Sequence, residues 1–241
     1  MENDEFAQRL ARATPRVWVT PALIVANVLV WFANLASGVD PITADPRALL
    51  LWGGNYLPVT LEQPWRLLTA TLLHGGVMHL ALNMWALWDA GPIAERFYGN
   101  LQFLLIYLVS GLLGSLASLF FAARMSVSIG ASGAVFGVVG ALLAAVVTKH
   151  QHMPPELART MRTSTLAFVG YSLFMGFAAT HIDNAAHIGG LIAGFGMASV
   201  MAEKFDWDEY RRRGLQRAAF AVAIAAAALV VVWALVPPPG R

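Results

Sequence analysis

The chain has 241 residues, of which 58% are hydrophobic and 12% are charged, and its net charge is +2. Soluble domains carry about 25% charged residues, so the composition excludes an ordinary soluble fold and indicates a helical protein that crosses a membrane several times. The small net charge gives no reason to expect nucleic-acid binding. The sequence contains no cysteine, which excludes disulfides, thiolate metal sites and a cysteine nucleophile, and we expect neither a cofactor nor a metal.

Seven apolar segments are candidate membrane spans. They are residues 19–37, 76–92, 101–122, 129–148, 163–181, 184–202 and 216–236. The segment before them, residues 1–18, is too long and too acidic for the start of a cleaved signal peptide, so the first span is expected to be retained. The chain is therefore predicted to be an all-α polytopic membrane protein with a six-span core at 19–202. Residues 203–241 are predicted to form a basic loop, a seventh span and a short tail.

The connection between the first and second spans, residues 38–75, is long and partly apolar. It contains Pro41, Pro46, Pro58 and Pro64. Apolar stretches of this kind can lie flat in the interface of a membrane, and we expect the connection to do so.

The basic residues set the orientation of the spans. With the N-terminus inside, the inner segments hold 12 Lys and Arg residues and the outer segments hold 4. This distribution follows the positive-inside rule. It predicts a multi-pass membrane protein with a cytoplasmic N-terminus and an external C-terminus; the expected location is the cell membrane, as a bacterial inner membrane.

Polar groups inside spans are costly and therefore mark functional sites. The second span contains His79 and Asn83, whose spacing of four residues places them on one helix face. Ser132 opens the fourth span, and His187 opens the sixth. All three spans are predicted to run from outside to inside. His79, Ser132 and His187 should therefore lie at one depth, about 5 Å below the outer surface.

Glycines predict that the fourth and sixth spans pack closely. Gly133 and Gly137 form one small-residue pair, and Gly190 and Gly194 form another. Such pairs let helix backbones approach each other. The packing would bring the serine of one span opposite the histidine of the other.

A serine opposite a histidine predicts nucleophilic catalysis. The Ser132 hydroxyl needs a base to remove its proton, and His187 is placed to be that base. The backbone N–H of Ser132 and the side chains of His79 and Asn83 are candidate donors to the oxyanion. Asp183 lies four residues before His187 but is expected above the site, so we predict a Ser-His dyad and not a triad.

These motifs together resemble those of the rhomboid intramembrane serine proteases. The matching residues are Trp65-Arg66, His74, His79-x-x-x-Asn83, Gly130-x-Ser132-Gly133 and Ala186-His187-x-x-Gly190-x-x-x-Gly194. The resemblance covers nearly the whole chain and implies six core spans plus one C-terminal span. It implies that Ser132 is the nucleophile and His187 the general base. It also implies that His79 and Asn83 belong to the oxyanion hole, and that Trp65 and Arg66 belong to a structured first loop.

The chain departs from the family pattern at one position. Many bacterial members carry a tyrosine four residues after the nucleophile, where this chain has Phe136. A phenyl ring can still stack on a histidine, so we expect the packing to remain without the hydroxyl's hydrogen bond. The residues expected to pack the site are Gly130, Gly133, Phe136, Gly190 and Gly194.

The expected substrates are single-span membrane proteins cut near their outer ends within the bilayer, and no nucleic-acid partner is expected. The sequence does not determine the oligomeric state.

Two other functions fit parts of the pattern. A transporter would place polar residues through the whole membrane depth, whereas we expect them only in the outer half. A catalytically inactive relative that escorts membrane proteins would lack the nucleophile or the base, and both are present.

Overall fold

The computed structural model of the chain describes residues 2–121, 126–178 and 182–237. Its α-helices are, in chain order, α1 (Glu2–Ala13), α2 (Val19–Ala36), α3 (Pro46–Leu51), α4 (Leu57–Thr60), α5 (Arg66–Thr69), α6 (Val77–Phe121), α7 (Ser132–Thr148), α8 (Pro155–Ala178), α9 (Asn184–Val200) and α10 (Trp207–Leu235). Short 3-10 turns lie at Ala70–Leu72 and His150–His152. The all-α multi-span architecture is confirmed. The predicted span ends at 122 and 181, and tail residues 238–241, lie outside the described residues.

Helix α6 contains both the second and the third predicted spans. Its helical run of 45 residues is broken at Gly99, where φ is 74° and ψ is 162°. Both ends of α6 lie at the same end of the bundle, because His79 lies beside Gly130 and Ser118 donates a hydrogen bond to Asp183. The two arms therefore run in opposite directions. Each arm of about 22 residues is about 33 Å long, enough to cross a bilayer.

The remaining spans follow the predicted order. Among the described helices, α2, α6 and α10 are long and apolar enough to cross a membrane on their own, and α7 is apolar but shorter. Helices α8 and α10 begin at Pro155 and Trp207, which is earlier than the predicted spans. Their first turns are polar and helical, so hydropathy alone places their starts too late.

Helix α7 is the centre of the bundle. Nearly all of its residues are buried, and it packs against α6 and α9. A helix that is apolar all round is typical of such a position. Its small side chains, among them Gly137, Gly140, Ala141 and Ala144, allow neighbouring backbones to come close.

Polar side chains are buried at more depths than the sequence analysis expects. Asn27 lies in the middle of α2 and Ser110 in the middle of an α6 arm, and both are fully buried. Asn27 donates to the carbonyl of Leu23 in its own helix, at 2.8 Å. The expectation that polar groups stop in the outer half is therefore wrong. A hydropathy average hides single amides and hydroxyls that bond locally.

The end of the bundle opposite to Ser132 is held together by a buried carboxylate. Glu95, on α6, is fully buried. It accepts hydrogen bonds from the backbone N–H groups of Trp18, Val19 and Thr20, at 2.9, 2.8 and 2.9 Å. The Thr20 hydroxyl adds a fourth, at 2.7 Å. The carboxylate thus satisfies N–H groups at the start of α2 that the helix leaves free.

A second buried carboxylate follows α9 at the same end. Glu203 is fully buried, and the Lys149 ammonium lies 3.8 Å from its Oε2. Lys149 also lies 3.8 Å from Glu209, which pairs with Arg217. Burial raises the pKa of Glu203 to about 7, although Lys149 acts in the opposite direction.

Replacing Glu95 by Gln is expected to destabilise the protein. The glutamine amide has no charge, and its NH2 group would face the backbone N–H groups at the start of α2, which are also donors. Each hydrogen bond to a charged group contributes about 1.5–3 kcal/mol to stability. Thermal unfolding of the purified protein in detergent should occur at a clearly lower temperature. Asp89→Asn, an exposed carboxylate on the same arm of α6, is the matched control. Equal unfolding temperatures for the two variants would contradict the capping role.

The raised pKa of Glu203 predicts that stability falls as the pH rises. The ordinary pKa is 4.5 and the folded one is about 7, so between these values the folded state keeps a proton that the unfolded state releases. The unfolding temperature should therefore decrease over this window, and less so in Glu203→Gln. Scanning calorimetry across the window checks this, with the exposed Glu156→Gln as control. A Glu203→Gln profile parallel to that of the wild type would refute it.

Candidate active site

Ser132 is the first residue of α7, and the turn before it fixes its position. Gly130 has a φ of 121°, which L-residues with side chains rarely adopt. Its N–H donates to the carbonyl of Ala70 at 2.9 Å, which ties the turn to the connection between the first two spans. The N–H groups of the first turn of a helix have no partner within the helix. The backbone at Ser132 therefore presents donors beside its hydroxyl.

The start of α9 lies against the start of α7 because of four glycines. A Cβ on Gly190 would overlap the carbonyl oxygen of Gly133, and a Cβ on Gly194 would overlap that of Gly137. A Cβ on Gly133 would lie 3.3 Å from the carbonyl oxygen of Ala186. Ser132 and His187 are the neighbours of these last two residues. The glycine pairs thus bring the two predicted catalytic positions together.

The His187 ring is held in place by Phe136. The two rings are parallel, at an interplanar angle of 7° and a centroid distance of 4.3 Å. Phe136 lies one turn after Ser132 on α7, so the stack holds the imidazole beside the turn that carries the serine. His187 is buried, and within the described residues its Nδ1 has no hydrogen-bond partner. No hydrogen bond between the Ser132 hydroxyl and His187 is present in these ranges; such bonds are often long before substrate binds.

His79 points a donor at the serine turn. The backbone N–H of Gly75 donates to His79 Nδ1 at 3.3 Å, so the neutral ring carries its proton on Nε2. A Cβ on Gly130 would lie 2.8 Å from His79 Nε2 and 3.7 Å from Ser132 Oγ. The Nε2–H group and the serine hydroxyl therefore lie on the same side of this turn.

Asn83 lies one turn further along α6 and is also buried. Its amide donates to the carbonyl of His79 at 2.9 Å. This bond uses one of the two N–H groups of the amide. The second N–H is the one that could reach a reacting oxygen.

His74 supports the ring of His79. It is almost fully buried, and the two rings meet edge to face at 5.1 Å. Burial, together with the nearby His79, lowers the pKa of His74 to about 3. The ring therefore stays neutral at physiological pH. The sequence motif included His74, but its contact with His79 depends on the fold of the connection.

The connection between α2 and α6 is ordered around Arg66. Its guanidinium donates to the carbonyls of Leu50 and Gly54, at 2.6 and 3.2 Å, and to Gln63 at 2.9 Å. Its Cζ lies 4.7 Å from the ring centroid of Trp65, which is half-exposed. The side chains of Ile42, Leu51, Trp52 and Leu68 are also exposed. Apolar groups on the outside of this connection fit a segment that lies in the membrane interface.

Asp183 lies at the start of α9, and its carboxylate accepts hydrogen bonds from three partners, none of which is the His187 ring. The partners are Ser118, Ser128 and the backbone of Ala186. The sequence predicts that Asp183 lies above the site and outside a triad, but it predicts none of these contacts. An aspartate directly before a helix is a known capping signal, and that signal could have identified one of them. His181 lies outside the described residues.

Within the described ranges, no group of three or more histidine and acidic side chains is arranged to hold a metal ion.

Comparison with known proteins identifies a family that matches this chain, and the relatives described below carry the same family name. The Rhomboid domain family matches residues 61–204. The chain is 46% identical to Rhomboid protease GluP of Bacillus subtilis over 137 residues, which is 57% of this chain and 26% of that protein. It is 33% identical to RHOMBOID-like protein 6, mitochondrial, of Arabidopsis thaliana over 226 residues, or 80% of this chain and 72% of that one. The putative rhomboid protease YdcA of Bacillus subtilis is 31% identical over 162 residues, or 66% of this chain and 79% of that one.

Gly194→Ala is expected to destabilise the protein, whereas Gly196→Ala is not. The added methyl group at 194 would overlap the backbone of Gly137, while a Cβ at 196 has no neighbour within 4 Å. Overpacking of this kind costs about 1–3 kcal/mol, and alanine in an open helical position gains up to about 1 kcal/mol. Thermal unfolding of both variants in detergent checks the difference. If both unfolded like the wild type, the α7–α9 contact would not be as close as described.

Proposed function

The chain belongs to the rhomboid family, and we propose that it is an intramembrane serine protease in which Ser132 is the nucleophile and His187 the general base. The observation that carries this proposal is the position of the His187 ring. It is stacked on Phe136, one turn from Ser132, where the glycine contacts bring α7 and α9 together. A base held beside a serine at the first turn of a helix is the arrangement that acyl transfer requires.

The proposed reaction has two steps. In the first, the Ser132 hydroxyl attacks the substrate carbonyl carbon while His187 takes its proton, and His187 then gives this proton to the leaving amine. In the second, His187 removes a proton from water as the water attacks the acyl carbon, and His187 then gives this proton to the Ser132 oxygen as its bond to the acyl group breaks, which releases the carboxylic acid product and restores the serine hydroxyl. The ring can serve both steps because stacking fixes its plane and leaves its edge free to exchange protons.

The oxyanion formed in each step needs donors that are already in place. The Nε2–H of His79 lies beside Gly130, and the backbone N–H of Ser132 lies in the first turn of α7, where it has no partner within the helix. The free N–H of Asn83 is the third candidate. Loss of one such donor typically costs about 3 kcal/mol of transition-state stabilisation.

We further propose that the substrates are single-span membrane proteins. A membrane helix hides its carbonyls in internal hydrogen bonds, so it can be cut only where it unwinds. Helix α8 is the route of entry that the packing favours, because its described residues bury only Ala158 and Gly176. Near the site its contact with α9 depends on Asn184, which donates to the carbonyl of Leu173 at 3.1 Å and faces Gly176.

The proposed location is the cell membrane, with the N-terminus in the cytoplasm and the site near the outer face. The distribution of 12 basic residues on one side against 4 on the other supports this orientation. Water can reach a site at this depth more easily than one at the middle of the bilayer.

Purified full-length protein should cut a single-span reporter substrate in detergent, and Ser132→Ala and His187→Ala should abolish cleavage. Loss of the nucleophile or the base removes the covalent route, so a decrease of at least about 1,000-fold is expected. Gel analysis and mass spectrometry of the fragments give the rate and the cleaved bond. Gly196→Ala, which alters no contact of the site, is the active control.

Undiminished cleavage by both variants would show that the dyad assignment is wrong. Tight binding of the reporter without cleavage by the wild type would instead favour the function of an escort protein.

A further inference from the structure

Asp183 makes hydrogen bonds to three different parts of the chain. Its Oδ2 accepts from the hydroxyl of Ser118 near the end of α6, at 2.5 Å, and from the hydroxyl of Ser128, at 2.6 Å. Its Oδ1 accepts from the backbone N–H of Ala186 in the first turn of α9, at 3.0 Å. The last bond is an ordinary helix cap. A cap alone would not require the two serines.

The bond between Ser128 and Asp183 joins the segments that carry the two reacting groups. Ser128 lies four residues before Ser132, and Asp183 lies four residues before His187. The glycine contacts join α7 and α9 from Gly133 and Ala186 onward, and the Ser128–Asp183 bond joins the segments that precede the two helices. The serine and the histidine are therefore held between two fixed contacts.

The same point is fastened to the connection between α2 and α6. Ser128 and Asn55 form a two-way backbone bridge, at 2.8 and 3.1 Å. The buried amide of Asn55 donates to the carbonyl of Ser115 on α6, at 2.8 Å. Asp183 is thus bound to a serine whose backbone N–H and carbonyl are both hydrogen-bonded to Asn55. Because Ser128 is held in this way, its bond to Asp183 can fix the position of the start of α9.

We propose that Asp183 is a positioning residue: by bonding Ser128, it sets the separation of Ser132 and His187. This inference rests on the proposed protease function, and it assigns Asp183 no contact with the substrate or the reacting atoms. A displacement of about 1 Å in a reacting group can reduce a rate by about 100-fold. A side chain outside the dyad can therefore control the chemical step through geometry alone.

The task requires a side chain that can form all three hydrogen bonds, and the carboxylate does so. It is an acceptor only and can receive all three donors at once. Asparagine can keep the three contacts, because its oxygen accepts from Ala186 while its amide donates to the two serine oxygens. Alanine keeps none of them.

The test compares Asp183→Ala, Asp183→Asn and Ser128→Ala as purified full-length proteins on the single-span reporter. We expect Asp183→Ala to lower kcat by about 10- to 100-fold with KM nearly unchanged, and Ser128→Ala to lower kcat in the same way but less. Asp183→Asn should retain most of the rate. Ser199→Ala is the matched control, because it also removes a serine hydrogen bond of α9, but a local one to Phe195.

Amide hydrogen exchange gives a readout that does not depend on proteolysis. Exchange at residues 126–135 should be faster in Asp183→Ala and Ser128→Ala than in the wild type, and unchanged in Ser199→Ala. The exchange measurement tests the inference even if the wild type proves inactive. An inactive wild type would contradict only the proposed function. Should Asp183→Ala fail to fold, Ser128→Ala and Asp183→Asn carry the test.

Two results would overturn the inference. Wild-type kcat and exchange in Ser128→Ala, together with a slow Asp183→Ala, would show that Asp183 only caps α9. A higher KM with unchanged kcat in Asp183→Ala and Ser128→Ala would show that the Ser128–Asp183 bond serves substrate recognition and does not position the reacting groups.

Discussion

The close contact of α7 with α9 is the constraint on which the rest of the site depends. Gly190 and Gly194 lie where a single methyl group would collide with the facing backbone at Gly133 and Gly137. Lipid provides no hydrophobic force between helices, so close packing of this kind is what holds them together. It also leaves no room for relaxation. Stacking of His187 on Phe136, and the alignment of both with the first turn of α7, follow from this contact.

The two ends of the bundle are closed by carboxylates that solve the same problem. Glu95 receives the free N–H groups at the start of α2, and Asp183 receives one at the start of α9. An anion at a helix N-terminus is favourable because the helix dipole and the free donors point at it. Both carboxylates also bind hydroxyls from elsewhere in the chain, namely Thr20 for Glu95 and Ser118 with Ser128 for Asp183. Each therefore adds hydrogen bonds between elements that are far apart in the chain.

The sequence predicted those parts of the fold that follow from periodic patterns. Apolar segments gave the order of the helices, and polar residues at span starts, such as Ser132 and His187, were brought to one end of the bundle. What it did not predict are contacts between residues far apart in the chain. The bond between Ser128 and Asp183, like the packing of His74 on His79, depends on how two connections fold. Buried Asn27 was missed for another reason: a single amide that bonds within its own helix does not change the average hydropathy.

The rigidity of the core and the loose packing of α8 together describe how such a site could work. The glycine contacts and the hydrogen bonds of Asp183 hold α6, α7 and α9 together. These three helices carry all the groups proposed for the chemistry. Helix α8 instead exposes Phe174 and Phe177 and meets α9 through Asn184. Separating α8 from the core would break the contact of Phe168 with Phe136 but would expose few buried residues of α8, whereas separating α7 from α9 would break the glycine contacts and the stack of His187. A substrate segment that enters past α8 would therefore meet reacting groups that are already in position. The free energy of opening would be the cost of displacing α8, which carries none of these groups.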